Sequence, residues 1–354
     1  MIFSFFKNNH SIESLPEFDN HHSVLFLSDS KVGLKGFIAI HRKNPNFPSF
    51  GATRMWHYNS ETEALQDALR LSKMMSYKSA LAGLSSGGAK GVIILPKQGK
   101  INRKQLLNAY AKKVDFLRGN FITGTDVGLF QEDLPILKET TKYIVGFNNY
   151  TTQLTALGIF CGIKTALENV SLSPSIKEKS FAIQGVGKVG QALLGLLYND
   201  AKRIFIADID EKTLRLVSKK YKNVIVVKPK EIHKQKVDVF CPCALSGAVT
   251  HKNVSELNCK IIAGGANNQL EDESIGVLLS KLNILYCPDY ILNAGGLIAV
   301  VNEYEALKFN YQKVKAKVLA VKENLNNIFQ ISKREGKSTN IVANQIAEKI
   351  FNNY

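Results

Sequence analysis

The stretch that decides the fold is "FAIQGVGKVGQALLGLL", residues 181–197. An apolar run ends at Gly185, Gly187 and Gly190 complete a G-x-G-x-x-G spacing, and Leu193, Leu194 and Leu197 follow at helical spacing. Three spaced glycines alone say little. Here they sit where a strand turns into a helix, and "RIFIADID" brings Asp208 to a strand end about 20 residues on. Gly185 permits a tight turn, Gly187 lets backbone approach a pyrophosphate, and Gly190 lets helix lie close on strand. The segment Gly185, Val186, Gly187, Lys188, Val189, Gly190 then presents a helix N-terminus to the phosphates. Asp208 accepts a ribose 2′-hydroxyl and repels a 2′-phosphate, so the expected cofactor is NAD in preference to NADP. Lys188 adds positive charge nearby.

Around this core the second half alternates short β-rich runs with helical stretches, at 180–185, 203–208, 223–227, 237–244, 260–266 and 283–289. Continuous apolar strands spaced by helices indicate a parallel sheet covered on both faces. The first half reads differently. Residues 36–41 form a strand, Ser60 and Glu63 a capping box, and Leu65, Ala68, Leu69, Leu71 and Met75 an apolar helical stripe. A strand at 91–96, a helix from Asn102 to Gly119 and a strand at 120–128 breaking into a loop at Asp126 complete it. The fold class is therefore α/β with two domains: an N-terminal α/β substrate domain, 1–145 completed by 326–354, and a doubly wound Rossmann-type NAD domain, 146–325.

The chain of 354 residues carries a formal net charge of +16. The lysines are scattered and show no alternation with aromatics, so neither a nucleic acid nor a membrane is expected as partner. No run is apolar over the roughly 18 residues a membrane helix needs. "MIFSFFKNNHS" at the start has a brief apolar patch and no basic lead-in, so no signal peptide is expected. Five cysteines in apolar contexts, an odd number, are not a disulfide framework, and Cys241-Pro-Cys243 is too tight for a metal knuckle. The expectation is reduced thiols, a cytoplasmic location and no metal.

A second segment, "MSYKSALAGLSSGGAKGVIIL", residues 75–95, sets Lys78 and Lys90 at the ends of a glycine-spaced run. A substrate carboxylate needs a fixed cation. Hydride removal from a carbon bearing an amine also needs a proton acceptor, a task open to a lysine when burial and a neighbouring cation lower its pKa. Asp126 would supply a counter-charge and a route for protons. The same pattern also fits two surface lysines flanking a turn.

Together, "GATRMW", "DALRLSKMMSYKSALAGLSSGGAKGVII", "FITGTDVG", "GVGKVG", "CPCALSGA", "IIAGGANNQL" and "PDYILNAGG" resemble, in this order, the Glu/Leu/Phe/Val amino-acid dehydrogenase family, in its leucine, phenylalanine, valine and tryptophan branch. The resemblance implies NAD-dependent oxidative deamination of a branched-chain or aromatic L-amino acid to the 2-oxo acid, ammonia and NADH, as in leucine dehydrogenase. It implies that Lys78 binds the α-carboxylate with help from the Gly51 backbone and the Asn293 side chain. It makes Lys90 the base towards the water that attacks the iminium, and Asp126 the proton relay. Ala244 and Asn268 fall beside the nicotinamide. Phe50, Gly124, Leu297 and Val300 match the positions that shape the side-chain pocket. Members of the family are homo-oligomers through the first domain, so at least a dimer is expected. Two stretches depart from the family pattern: "NFPSFGA", and the shortened approach "NNYTTQLT" to Thr155. The rival reading is a non-catalytic NAD-binding regulatory protein on the same fold.

Overall fold

The computed structural model of the chain describes residues 11–97, 101–171, 173–244, 246–306 and 308–352. The leader expectation rests on residues 1–10, which lie outside them. By packing, the chain divides into two units: Met1–Asn148 with Glu303–Leu307 and Ala347–Tyr354, and Asn149–Asn302 with Lys308–Ile346. The sequence reading drew the crossings at 145/146 and 325/326.

The first unit holds β1 (Ser23–Asp29), β2 (Leu34–Arg42), β3 (Ser49–Phe50), β4 (Thr53–Trp56), β5 (Gly87–Ile94) and β6 (Phe121–Ile122). Their order is β1-β2-β5-β3-β6, with β4 also on β5. The β1–β2 hairpin and the β2–β5 pair are antiparallel, and β3 and β4 run parallel to β5. Alternation along the strands fills both faces. Phe37, Ala39 and Val92 pack with Ala64, Leu65, Ala68 and Leu69 of the helix Glu61–Leu81. Ile38, Ile40, Ala89 and Ile93 pack with Leu106, Leu107, Tyr110 and Val114 of the helix Arg103–Phe116. Ser60 caps the first helix by accepting from Glu63 N–H, while the Glu63 carboxylate reaches one residue further back, to Asn59 N–H.

The strand expected at 91 begins at Gly87, so the "GGAKG" segment lies inside β5 and is not a loop ahead of it. The reason is steric. A Cβ on Gly88 would lie 2.0 Å from the backbone nitrogen of Ser76, and one on Gly91 would lie 2.3 Å from the Tyr110 hydroxyl. The helices sit directly on the strand because these positions have no side chain.

The second unit holds β7 (Ser180–Gln184), β8 (Arg203–Ala207), β9 (Val224–Val226), β10 (Val239–Pro242), β11 (Ile261–Ile262) and β12 (Leu285–Tyr286). The pairs are all parallel, in the order β12-β11-β10-β7-β8-β9. This is the doubly wound order, with its reversal between β7 and β10. The shortened approach to Thr155 leads straight into the helix Thr151–Ser171, with Tyr150 stacked on Phe309 at 5.3 Å and 8°. All five cysteines are free thiols. Cys241 and Cys287 are completely buried, and burial pushes both thiols up. Among the described residues no helix is long and apolar enough to cross a membrane. Among those residues, too, no cluster of three or more His, Cys, Asp or Glu could hold a metal ion.

Two outcomes follow for stability. Gly88→Ala must push the helix Glu61–Leu81 off β5, so a loss of about 1–3 kcal/mol or more is expected as a lowered Tm. His21 is buried between Leu69 O and Ser72 Oγ, both 3.1 Å from Nε2. Burial, then the charge of His41, lowers its pKa from 6.5 to about 4. The unfolded chain therefore takes up a proton that the folded ring refuses. The stability involved is present above pH 6.5 and is lost as pH falls towards about 4, which denaturant melts across that window will read.

Candidate active site

In the first unit, Lys90 is the polar member of a buried strand, its side chain 7% exposed. Its Nζ lies 2.5 Å from Asp126 Oδ2. Asp126 is held by the loop after β6. Met55 N–H donates to Val127 O at 2.8 Å, and Leu129 N–H to Asp126 O at 3.1 Å. Gly128 takes φ +80°, where a Cβ would meet Met55 O at 2.0 Å. Arg103 clamps the loop from behind, donating to Gly128 O at 2.7 Å and pairing with both Asp133 oxygens. Burial pushes the Asp126 carboxyl up, but the Lys90 ammonium and the Arg54 guanidinium outweigh it and hold the pKa at about 2. Asp126 is thus an anion throughout the neutral range.

Gly51 lies against the same strand: a Cβ there would sit 1.9 Å from Ala89 O, and its N–H is committed to Ile122 O. Phe50, paired in register with Gly88, is 1% exposed and meets the Tyr304 ring edge-on at 5.6 Å. A Cβ on Gly124 would lie 3.1 Å from Val145 O, so this glycine has a packing reason beside any pocket reason. Lys78 stands half-buried in the last turn of the helix Glu61–Leu81. The charge in direct contact with Lys90 is the Asp126 carboxylate.

In the second unit Gly185 takes φ +92°, and a Cβ on Gly190 would lie 2.0 Å from Gly185 O. Gly187 caps the helix Lys188–Leu197 in extended conformation, and a Cβ there would project into open space. Val186 is buried, Lys188 exposed and Val189 half-buried. Asp208 follows β8 and accepts from Val186 N–H at 2.8 Å and from Asp210 N–H at 3.0 Å, which brings its carboxylate to the glycine turn. Ala244 backs the turn, 2.7 Å from where a Gly185 Cβ would stand. An open helix N-terminus behind a side-chain-free residue, with a carboxylate beside it, fits a dinucleotide. Asn268 takes φ +51°, and its carbonyl accepts from Gly247 N–H. Asn293 donates to Gly265 O and Asn267 Oδ1, leaving its own buried Oδ1 without a protein partner. Both its N–H groups are therefore spent, and the atom it has to offer is an acceptor. Leu297 and Val300 lie one turn apart on the helix Gly295–Glu305.

Comparison with known families agrees with both halves. Residues 21–143 match the model of the Glu/Leu/Phe/Val dehydrogenase dimerisation domain, and residues 201–350 match that of Glutamate/Leucine/Phenylalanine/Valine dehydrogenase. The chain belongs to this dehydrogenase family. It is an amino-acid dehydrogenase, an oxidoreductase acting on CH–NH2 donors. L-tryptophan dehydrogenase of Nostoc punctiforme is 40% identical over 94% of this chain and 94% of its own. A crystal structure of the Nostoc punctiforme enzyme superposes with a TM-score of 0.81, covering 94% of this chain and 96% of that one. Leucine dehydrogenase of Geobacillus stearothermophilus is 35% identical over 93% of this chain and 90% of its own. Phenylalanine dehydrogenase of Bacillus thermotolerans is 37% identical over 93% and 88%.

Three residues of this dehydrogenase escaped the sequence reading. Arg54 shares an oxygen of Asp126 with Lys90, its Nε at 3.2 Å. The available signal was a cation alternating with buried Thr53 and Met55 on a strand. Tyr304 backs Phe50 across some 250 residues of sequence, which no local pattern reveals. Glu303 accepts from the backbone N–H groups of Gly146, Phe147 and Asn148 and from the Asn148 side chain, again without local signal. Because a Gly187 side chain meets no protein atom, Gly187→Ala is expected to keep the wild-type Tm while weakening binding of the nicotinamide dinucleotide about 10-fold or more, measured by fluorescence titration.

Proposed function

We propose that the enzyme catalyses NAD-dependent oxidative deamination of a branched-chain or aromatic L-amino acid. The observation that carries this reading is the buried Lys90–Asp126 pair, 2.5 Å apart, in a chain whose other unit has a glycine turn shaped for a dinucleotide. NAD supplies the hydride acceptor, held at Gly185–Gly190 and Asp208. Lys78 binds the α-carboxylate beside the Gly51 backbone. Lys90 takes the proton of the water that attacks the iminium, and Asp126 exchanges protons with the departing amine. Such acid–base help is worth roughly 10²–10⁴-fold. An Asp126 that is anionic at neutral pH is prepared to accept. Ala244 and Asn268 belong to the nicotinamide side, and Asn293 borders the substrate. Asn293 Oδ1, as a buried acceptor, suits an N–H group of ligand better than a carboxylate. Phe50, Gly124, Leu297 and Val300 select the side chain. Relatives named for tryptophan, leucine and phenylalanine support an apolar substrate.

We place the enzyme in the cytoplasm, as a homo-oligomer built through the first unit. β1 is an outer strand with one neighbour in its sheet. Beside it a groove of about 780 Å³ is lined by Leu25, Leu27, Val32 and Ala109, with Phe116 77% exposed. None of the proposed catalytic or binding residues lines this groove, which suits an assembly surface and not the reaction.

The test is NADH absorbance with NAD and a panel of amino acids at alkaline pH. Activity with leucine, valine, phenylalanine or tryptophan is expected and none with glutamate. Tight NAD binding without NADH from any amino acid would mean a non-catalytic binder. Lys90→Ala should abolish turnover with NAD affinity nearly intact, and Lys78→Ala should chiefly raise the substrate KM. Near-normal kcat in Lys90→Ala would remove the base from the scheme.

A further inference from the structure

We infer that Arg54 and Asp67 are positioning residues that hold the Asp126 carboxylate against Lys90. The inference rests on the proposed roles of Lys90 and Asp126. The two cations converge on one oxygen: Asp126 Oδ2 accepts from Lys90 Nζ at 2.5 Å and from Arg54 Nε at 3.2 Å. Arg54 stands on β4, in register with Val92 two residues beyond Lys90. Its other arm, Nη1, donates to Asp67 Oδ2 at 2.9 Å on the helix Glu61–Leu81. Asp67 is fixed in turn by Tyr58 Oη on the same oxygen at 2.7 Å and by Arg70 on the other at 2.7 Å. Lys90, Asp126, Arg54, Asp67 and Arg70 form a file of alternating charge, and the middle three are 21%, 23% and 13% exposed.

Two consequences separate this from a merely structural tie. A guanidinium does not lose its proton, so Arg54 stays charged at every stage in which Lys90 exchanges one. Asp126 therefore keeps one permanent cation partner, and its oxygen stays aimed at Nζ. Asp67 spans the guanidinium from the far side, so Arg54 is a fork between two carboxylates and cannot swing wholly onto Asp126. The groups facing Asp126 are then Lys90 from β5 and Arg54 from β4, with Tyr58, Asp67 and Arg70 behind the latter. Loss of the cation should make the site hold protons more tightly; loss of the far anion should do the opposite. The rate profile reads protonation of this site, so its acid limb moves up in the first case and down in the second.

The experiment measures kcat/KM against pH, together with kcat and Tm, for the full chain with NAD and its best amino acid. Arg54→Met is expected to lower kcat on the order of 10- to 100-fold and to move the acid limb up by about one pH unit. Asp67→Asn should move that limb down, and Arg54→Lys should return it towards the wild-type position with kcat still reduced. A limb unmoved in both Arg54→Met and Asp67→Asn overturns the inference, whatever the fall in rate. Should Arg54→Met fail to fold, Asp67→Asn decides: a limb displaced downward supports it, and one at the wild-type position overturns it. Asp126→Asn separates the two levels. A wild-type profile there ends the role of Asp126 itself, whereas a large loss there with unmoved limbs elsewhere ends only the role of Arg54 and Asp67.

Discussion

A lysine can stand in the middle of a buried strand only if its neighbours along that strand surrender their side chains. Gly88 does so to the helix Glu61–Leu81, and Gly91 to Tyr110 and Thr53. Gly51, across the sheet, does so to Ala89 O. These close approaches leave no room for a side chain, and they fix the strand that carries Lys90 against its neighbours. The glycines are thus less a flexible loop than a close-packed seam. Rigidity of this kind suits a group that must meet a reacting atom within a few tenths of an ångström.

The seam brings charge indoors, and the protein answers with opposite charge. Isolating Lys90 in such surroundings would cost several kcal/mol. Asp126 meets it, Arg54 meets Asp126, and Asp67 meets Arg54, until Arg70 reaches the surface at 44% exposure. The Asp126 loop is itself tied by Arg103 to Asp133 and Gly128 O. The anion is therefore held from two sides, by Arg54 on β4 and by the Arg103 clamp on its loop. In the second unit the same economy is achieved without side chains, by a turn in which Gly185 adopts a left-handed conformation and Gly187 leaves the helix end bare.

Much of this was legible in the chain. The glycine spacing at 185, 187 and 190 with Asp208 placed the doubly wound parallel-sheet unit, because each of those residues answers a local requirement. Lys90 and Asp126 were legible as a pair of opposite charges in apolar surroundings. What was not legible has a common cause. That β5 begins at Gly87, that Arg54 reaches Asp126, and that Tyr304 lies against Phe50 are all facts about which distant segments touch. A glycine run reads as a loop until the helix that presses on it is known.

The thiols of the second unit have a practical corollary. Cys241 and Cys287 sit in or beside the parallel sheet with no exposed surface, and burial disfavours the thiolate that reacts with electrophiles. An alkylating reagent can reach them only when the sheet opens. Their labelling rate is thus an intrinsic clock for breathing of that unit, one that leaves the glycine turn and the Lys90–Asp126 pair untouched.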